Sequence, residues 1–439
     1  MVTDTTFGEP GESRGWRYYL QKNVLVIFLL GFSSGLPFPL VYSTLSLWLA
    51  QAGLELSTVS TFAWLGFAYS FKFVWAPLVD SVKIPLLTEL VGRRRAWMLV
   101  AQVSIGASLI LLSGIDPTEN IEVFAFVAVA VALSSATQDI VIDAYRIECA
   151  ESRMQGVLAA SYQYGYRVAM LVGGAGAIAI AEFAPWSVAY LAMSGCVVVG
   201  MLAALWCDEP AIQARQMIYT SLSAVERIAK WFTHAIAEPF GDFFKRYGMF
   251  AIVMLAFISL YRLSDYVLGI LANPFYSEIG YTNLQIALIA KGYGLWVGLV
   301  GIGAGGWAVV KYGVARCLVI STILIASTNL FFAAMVIVGP EPWMLAVTIS
   351  ADNLAQGISG TVLIAYLSSL TNLSFTATQY ALLSSFMSLL GKFSAGYSGD
   401  VQESIGWLGF FLYAAALGLP AIALSFVVAK RHEKLAGSG

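Results

Sequence analysis

From residue 24 onward, long apolar stretches alternate with short polar breaks. Each stretch has about the twenty residues that a helix needs to cross a hydrocarbon layer. Six fall at 24–48, 57–79, 97–115, 121–145, 156–181 and 187–206. A polar stretch from Cys207 to Tyr247 follows, and six more lie at 248–272, 282–309, 316–338, 343–371, 378–399 and 405–429. The pattern predicts an all-α membrane protein of about twelve transmembrane helices in two six-helix bundles, with both termini on one side. It divides the chain into an N-terminal segment (1–23), a first bundle (24–206), a linker (207–247), a second bundle (248–430) and a tail (431–439). In the linker, Ile218, Leu222, Val225, Ile228, Phe232 and Ile236 approach helical spacing, with Arg227 and Lys230 on other faces. That pattern fits an amphipathic helix lying on the membrane surface or against the bundle, or a plain connector.

Charge orients the chain. Arg14, Arg17 and Lys22 precede the first span, and Lys83, Arg93, Arg94 and Arg95 follow the second. Arg146 and Arg153 follow the fourth, five basic residues sit in the linker, Lys311 and Arg316 follow the eighth, and Lys430, Arg431 and Lys434 close the chain. The opposite side carries Glu55, Asp116, Glu119, Glu122, Glu182, Glu278, Glu341, Asp400 and Glu403, with no Lys or Arg. By the positive-inside rule both termini are cytoplasmic. The first apolar run is long enough to span and has no small-residue cleavage site, so it is expected to be retained.

Composition agrees with that class. Charged residues make up 11% of the chain and hydrophobic ones 59%, against about 25% charged in soluble domains; mean hydropathy is +0.77. A net charge of −2 argues against a nucleic-acid partner. Cys149, Cys196, Cys207 and Cys317 have no metal-ligand spacing, and His234 and His432 lie in polar regions. No metal, disulfide or cofactor is expected.

The halves echo one another. QGVLAASY from Gln155 resembles QYALLSSF from Gln379, AGLELSTVS from Ala52 resembles IGYTNLQIA from Ile279, and VIDAY (Val141–Tyr145) resembles VLIAY (Val362–Tyr366). Three echoes in near register indicate a parallel duplication of six spans, the organisation of the major facilitator fold.

Charges inside the spans carry the candidate chemistry, because each costs energy unless paired or hydrated. They are Lys72, Arg167, Arg262, Lys291, Lys392, Asp139, Asp143, Asp265 and Asp352. Asp139 and Asp143 are four apart, so a helix stacks them on one face. Asp143 either pairs with Arg146 or serves a polar pathway, and Asp139 lies a turn deeper. A proton carrier must change charge during its cycle, and the choice falls on Asp139, with Asp143 as an orienting or latch carboxylate and Asp352 as rival carrier, set between Lys291 and Lys392. Arg262 and Asp265 are three apart and most simply form a structural ion pair. Lys72 either snorkels to the cytoplasmic surface or enters the pathway. Tyr162, Gln163, Tyr166 and Arg167 give the fifth span a polar face toward a central cavity. Arg167, Lys291 and Lys392 are candidate contacts for an anionic or zwitterionic substrate, with Gln138, Gln163, Asn353 and Gln356 as polar contacts. Gly31, Gly35, Gly301, Gly303, Gly305 and Gly306 read as helix-packing positions.

Asp80 with Arg93 and Arg94 flanks the loop after the second span, either as simple positive-inside anchors or as a loose version of a facilitator signature in which a carboxylate and arginines latch the halves at a cytoplasmic gate. More broadly, GFSSGLP (Gly31–Pro37), KFVWAPLVD (Lys72–Asp80), GRRRAW (Gly92–Trp97), ATQDIVIDAYRIE (Ala136–Glu148), GYR (Gly165–Arg167), LYRLSDYV (Leu260–Val267), DNLAQGISGT (Asp352–Thr361) and SFTATQYALLSS (Ser374–Ser385) together resemble the AmpG-type muropeptide permeases of the major facilitator superfamily. The resemblance spans nearly the whole chain. It implies a proton-coupled, monomeric inner-membrane importer of anhydromuropeptides, N-acetylglucosaminyl-1,6-anhydro-N-acetylmuramyl peptides, from periplasm to cytoplasm. Such import feeds cell-wall recycling and, in some bacteria, β-lactamase induction. Some members continue into further C-terminal spans, whereas this sequence stops at Gly439, and its Asp80–Gly92 loop is longer than is usual there. The acetyl-CoA transporters are the nearest alternative. A membrane transferase acting on lipid-linked sugar fits poorly, since its catalytic acids would sit at a membrane face; a transporter-like sensor differs by lacking uptake.

Overall fold

The structure, a computed structural model, describes residues 21–210, 237–269 and 271–436. Each of the twelve expected apolar segments is helical. The helices are α1 (Lys22–Gln51), α2 (residues 56–81), α3 (Arg93–Ser113), α4 (Ile121–Glu148), α5 (Gln155–Phe183), α6 (Trp186–Trp206), α7 (Phe250–Ile279), α8 (Leu288–Tyr312), α9 (Val314–Val338), α10 (Pro342–Leu370), α11 (Thr376–Ala395) and α12 (Ser398–His432). Among the described residues nine are long and apolar enough to cross a membrane unaided; α10 and α11, bent by 98° across a short break, meet that measure as a pair. The exception is α2, where three short α-helical pieces alternate with 3₁₀ turns at Phe62–Leu65 and Lys72–Val74. Gly66 opens the middle piece and Pro77 sits in the first turn of the last; glycine and proline are the usual causes of such breaks. The amphipathic stretch Ile218–Ile236 lies outside the described residues. Its continuation, Glu238–Tyr247, is a helix.

Close backbone approach organises both bundles. Cβ atoms at Gly31 and Gly35 would strike the carbonyls of Tyr162 and Tyr166, and one at Gly165 the carbonyl of Phe28, so α1 and α5 pack along a glycine seam. Gly301, Gly305 and Gly357 do the same for α8 and α10. Gly303 differs: it faces the hydroxyl of Tyr164, on the other bundle. One turn also demands glycine. Gly92 has φ +94° at the start of α3, and there the Glu209 carboxylate accepts the amide hydrogens of Arg94 (2.8 Å) and Arg95 (3.2 Å), placing negative charge on a helix N-terminus.

The bundles meet through α2–α11, α4–α11, α5–α8 and α5–α10. Ala377 and Ala381 of α11 enter the core of the first bundle beside Val141 and Tyr145, and Ile147 of α4 enters the core of the second. The same end of the molecule gathers Lys22 against Asp208, Arg94 against Asp80 and Glu148, and Arg431 over the ring of Phe250. We call it the basic end.

Candidate functional site

The first layer closes the basic end. Arg94 is fully buried and holds two carboxylates, Asp80 Oδ1 at 2.8 Å and Glu148 through Nε at 2.9 Å. Asp80 also accepts from the α11 backbone amides of Ala377 (3.2 Å) and Thr378 (2.8 Å) and from the Thr378 hydroxyl (2.8 Å). A carboxylate of one bundle therefore caps a helix of the other, where exposed N–H groups favour negative charge. Arg93 is half-buried and donates to the Asp80 carbonyl. Asp80, Arg93 and Arg94 are thus brought together, and the site adds Glu148, which sequence reasoning missed.

The second layer lies deeper, where α4 carries Asp139, Asp143 and Arg146. Asp143 sits between two cations, Lys72 Nζ at 3.6 Å and Arg146 Nη2 at 3.5 Å. Lys72 does not snorkel: it is 8% exposed, because α2 turns it inward at a 3₁₀ segment onto Asp143. Arg146 pairs with Asp143 as one reading expected, but it also donates to Ser368 Oγ of α10 (2.8 Å) and lies 5.1 Å from the Tyr380 ring of α11. Asp139 is buried and accepts from Ser34, which lies 3.0 Å from the Tyr162 hydroxyl. Asp139 forms no ion pair among the described residues, and this separates it from Asp143.

Gln138 is placed otherwise than expected. It is fully buried against α1, its amide exchanging hydrogen bonds with Ser33 (2.9 and 2.8 Å), which leaves no face for a substrate. The neighbouring face carries an aromatic row in which Tyr162 and Tyr166, expected at the cavity, are joined by three rings that sequence reasoning did not name. Phe38, Tyr42, Tyr69, Tyr162 and Tyr166 come from α1, α2 and α5, with centroid separations of 4.6 to 6.4 Å. Its signal in the sequence, aromatics on three separate helices, becomes a row only after packing.

The third layer belongs to the second bundle. Arg262 and Asp265 form the expected i,i+3 pair, Nε to Oδ2 3.0 Å. Asp352 is not flanked by Lys291 and Lys392. It accepts from Gln356 (2.8 Å) and Thr328 (3.4 Å), since α10 turns it toward α9. Gln356 is thereby engaged by Asp352, and the Asn353 amide donates to the carbonyl of Ile349 at 3.1 Å. Gln163 donates across the bundles to Thr361 (2.6 Å), and Tyr164 to the carbonyl of Leu299 (2.8 Å). Arg167, one turn beyond, is exposed and makes no hydrogen bond or ion pair with a described residue; Lys291 is the same. Lys392 is exposed and donates to Ser70 of α2 at 2.9 Å. No group of metal-ligating side chains occurs among the described residues.

A helical bundle built from two related halves, sealed at one end and lined with paired and unpaired charges inside its spans, defines a multi-pass membrane transporter rather than an enzyme. Its fold matches the major facilitator proton:xylose symporter XylE bound to 6-bromo-6-deoxy-D-glucose, with TM-score 0.66 and 13% identity over 94% of this chain and 95% of that one. FucP in the outward conformation gives TM-score 0.62 at 11% identity, over 94% and 99%. The fold is therefore the major facilitator fold. The chain belongs to the AmpG-type permease family. It is 35% identical to the putative transporter AmpG 4 of Rickettsia felis, over 92% of this chain and 96% of the relative. It is 30% identical to the anhydromuropeptide permease of Escherichia coli K12, over 95% of this chain and 82% of the relative. The family model described as acetyl-coenzyme A transporter 1 matches residues 23–168.

Proposed function

We propose that this protein imports anhydromuropeptides from periplasm to cytoplasm across a bacterial inner membrane, with protons as the coupling ion. The observation that carries the substrate class is the 30% identity to an anhydromuropeptide permease over 95% of the chain. The chemistry of the site agrees. Stem-peptide carboxylates suit Arg167 and Lys291, which have no protein partner among the described residues, and the aromatic row offers faces for sugar rings. The asymmetry of basic residues supports a cytoplasmic basic end, and the contacts there then correspond to a state open toward the periplasm. Asp139 is the favoured proton carrier, because it is buried without an ion pair while Asp143 is shared by Lys72 and Arg146. Asp80, Arg93 and Arg94 act as the cytoplasmic gate. The transporter works as a monomer, and its import feeds cell-wall recycling and, where the host uses that signal, β-lactamase induction.

Radiolabelled anhydromuropeptide uptake into proteoliposomes, with and without an imposed pH gradient, tests this reading. Accumulation only with the gradient is expected; none under either condition overturns the substrate, and gradient-independent uptake overturns the coupling. A second reading is favoured by the family-model match at residues 23–168, namely an acetyl-CoA or other organic-anion permease. Acetyl-CoA uptake that unlabelled anhydromuropeptide fails to inhibit would favour it.

A further inference from the structure

Arg146 is fully buried, and its Nε and Nη2 have no hydrogen-bond acceptor. Its one strong hydrogen bond, through Nη1, goes to Ser368 of the opposite bundle, and its cation–π neighbour Tyr380 also belongs there. Gln155 Oε1 lies 3.4 Å from Nη1. Among the described residues the only anion within ion-pair distance is Asp143, at 3.5 Å, and Asp143 divides its oxygens between Arg146 and Lys72. The cation that crosses the seal is thus compensated by one carboxylate, itself shared. A buried guanidinium without compensation is strongly unfavourable, so the seal around Arg146 can stay shut only while Asp143 is charged. When the bundles part, Arg146 reaches water and that constraint disappears.

We infer that Arg146 is a positioning residue that makes closure of the basic end depend on the charge of Asp143. Protonation of Asp143 strands Arg146 in the seal and drives the bundles apart there; loss of the proton lets the seal reform. Lys72 remains in the first bundle in both states and keeps an ionised Asp143 paired after opening. Among the described residues the other titratable groups facing Asp143 are Asp139 on α4, Tyr162 and Tyr166 on α5 and Tyr380 on α11, while Lys392 of α11 faces Lys72. This rests on and deepens the proton-coupled reading, with Asp139 the carboxylate that takes the proton up and Asp143, one turn nearer the basic end, the one to which it passes; its test needs no substrate, so the two fail separately.

Lys83 and Ser374 are exposed at the basic end, one on each bundle. Spin labels at Lys83→Cys and Ser374→Cys, with the four native cysteines replaced by alanine, report the separation of the bundles by pulsed dipolar spectroscopy. In the parent the long-distance population is expected to grow as pH falls. Asp143→Asn should raise it at neutral pH at least about tenfold, because it removes the charge that compensates a buried cation. Arg146→Gln should suppress that rise in the double variant Asp143→Asn/Arg146→Gln, whereas Arg146→Lys, which keeps the cation, should not. A merely structural Arg146 would make the double variant at least as open as Asp143→Asn alone, and that result overturns the inference. So does an unshifted Asp143→Asn. If Asp143→Asn fails to yield monodisperse protein, the pH profile decides, taken in an Asp139→Asn background to remove the neighbouring carboxylate. There Arg146→Gln should flatten the acid opening, and a profile equal to that background's own overturns the inference.

Discussion

The two bundles share a scaffold and differ in where they keep their charge. Setting Val141–Tyr145 against Val362–Tyr366 aligns Asp139, Asp143 and Arg146 of α4 with Gly360, Ile364 and Leu367 of α10. In the first bundle these charges lie within about 14 Å of the basic end of α4, at 1.5 Å rise per residue. In the second, the α10 carboxylate Asp352 lies about 27 Å from the corresponding end by the same measure. The seal is therefore one-sided in chemistry. The first bundle brings Asp80 and Arg146, and the second answers with neutral partners: the amides of Ala377 and Thr378, the hydroxyl of Ser368 and the ring of Tyr380. An interface in which one face holds the charge and the other neutral donors and acceptors separates without stranding an ion on both sides. That suits the gating role proposed for this end.

The largest expected effect separates the carboxylates of the two bundles. Asp139→Asn keeps size and removes titration, so it should abolish gradient-driven accumulation in proteoliposomes while exchange at equal pH on both sides persists. Asp352→Asn should leave most accumulation intact. If Asp139→Asn still accumulates substrate uphill, the carrier role passes to Asp352 and the division of labour drawn here is wrong.

Next is the contrast between the basic-end arginines. Arg94→Ala strands Asp80 and Glu148 in a buried site and should cost about 3–5 kcal/mol in stability. Arg246→Ala breaks a partly exposed i,i+4 pair with Asp242 (2.8 Å) and hydrogen bonds to the Leu370 carbonyl (3.1 Å) and Gln379 (2.9 Å), and should cost about 1–2 kcal/mol. Denaturation midpoints in detergent compare them, and equal losses would remove the asymmetry.

The glycine seams sharpen the comparison from the other side, because there the bundles are alike. A methyl at Gly165 meets the Phe28 carbonyl, and one at Gly357 meets the Gly298 carbonyl at 2.5 Å. Each Gly→Ala change should cost about 1–3 kcal/mol by overpacking, with near-equal shifts in thermal midpoint. The smallest effect belongs to Lys22→Ala. Its pair with Asp208 is 43% and 73% exposed, and an exposed pair contributes about 0.5 kcal/mol, so the midpoint should scarcely move.

Read alone, the sequence determined what depends on local order. A run of apolar residues is a spanning helix wherever it sits, because unpaired backbone groups are too costly in hydrocarbon; all twelve segments are helical, with α2 the most fragmented and further breaks at Tyr42 in α1 and Gly406 in α12. Arg262 and Asp265 could be paired from their spacing, since i and i+3 share a helix face whatever surrounds them. The family was legible for the same reason, as strings such as KFVWAPLVD are local. Tertiary structure decided everything that depends on the rotation and register of one helix against another. It turned Lys72 onto Asp143, Asp352 toward Thr328 and Gln138 into the α1 seam. It set Asp80 over the start of α11 and carried Arg146 across to Ser368. Those partners lie far apart in the chain, and a rotation of about 100°, one residue's step around a helix, exchanges a cavity-facing side chain for a buried one. Spacing within a helix carries no information about that angle; only the packed glycine seams and inter-bundle contacts supply it.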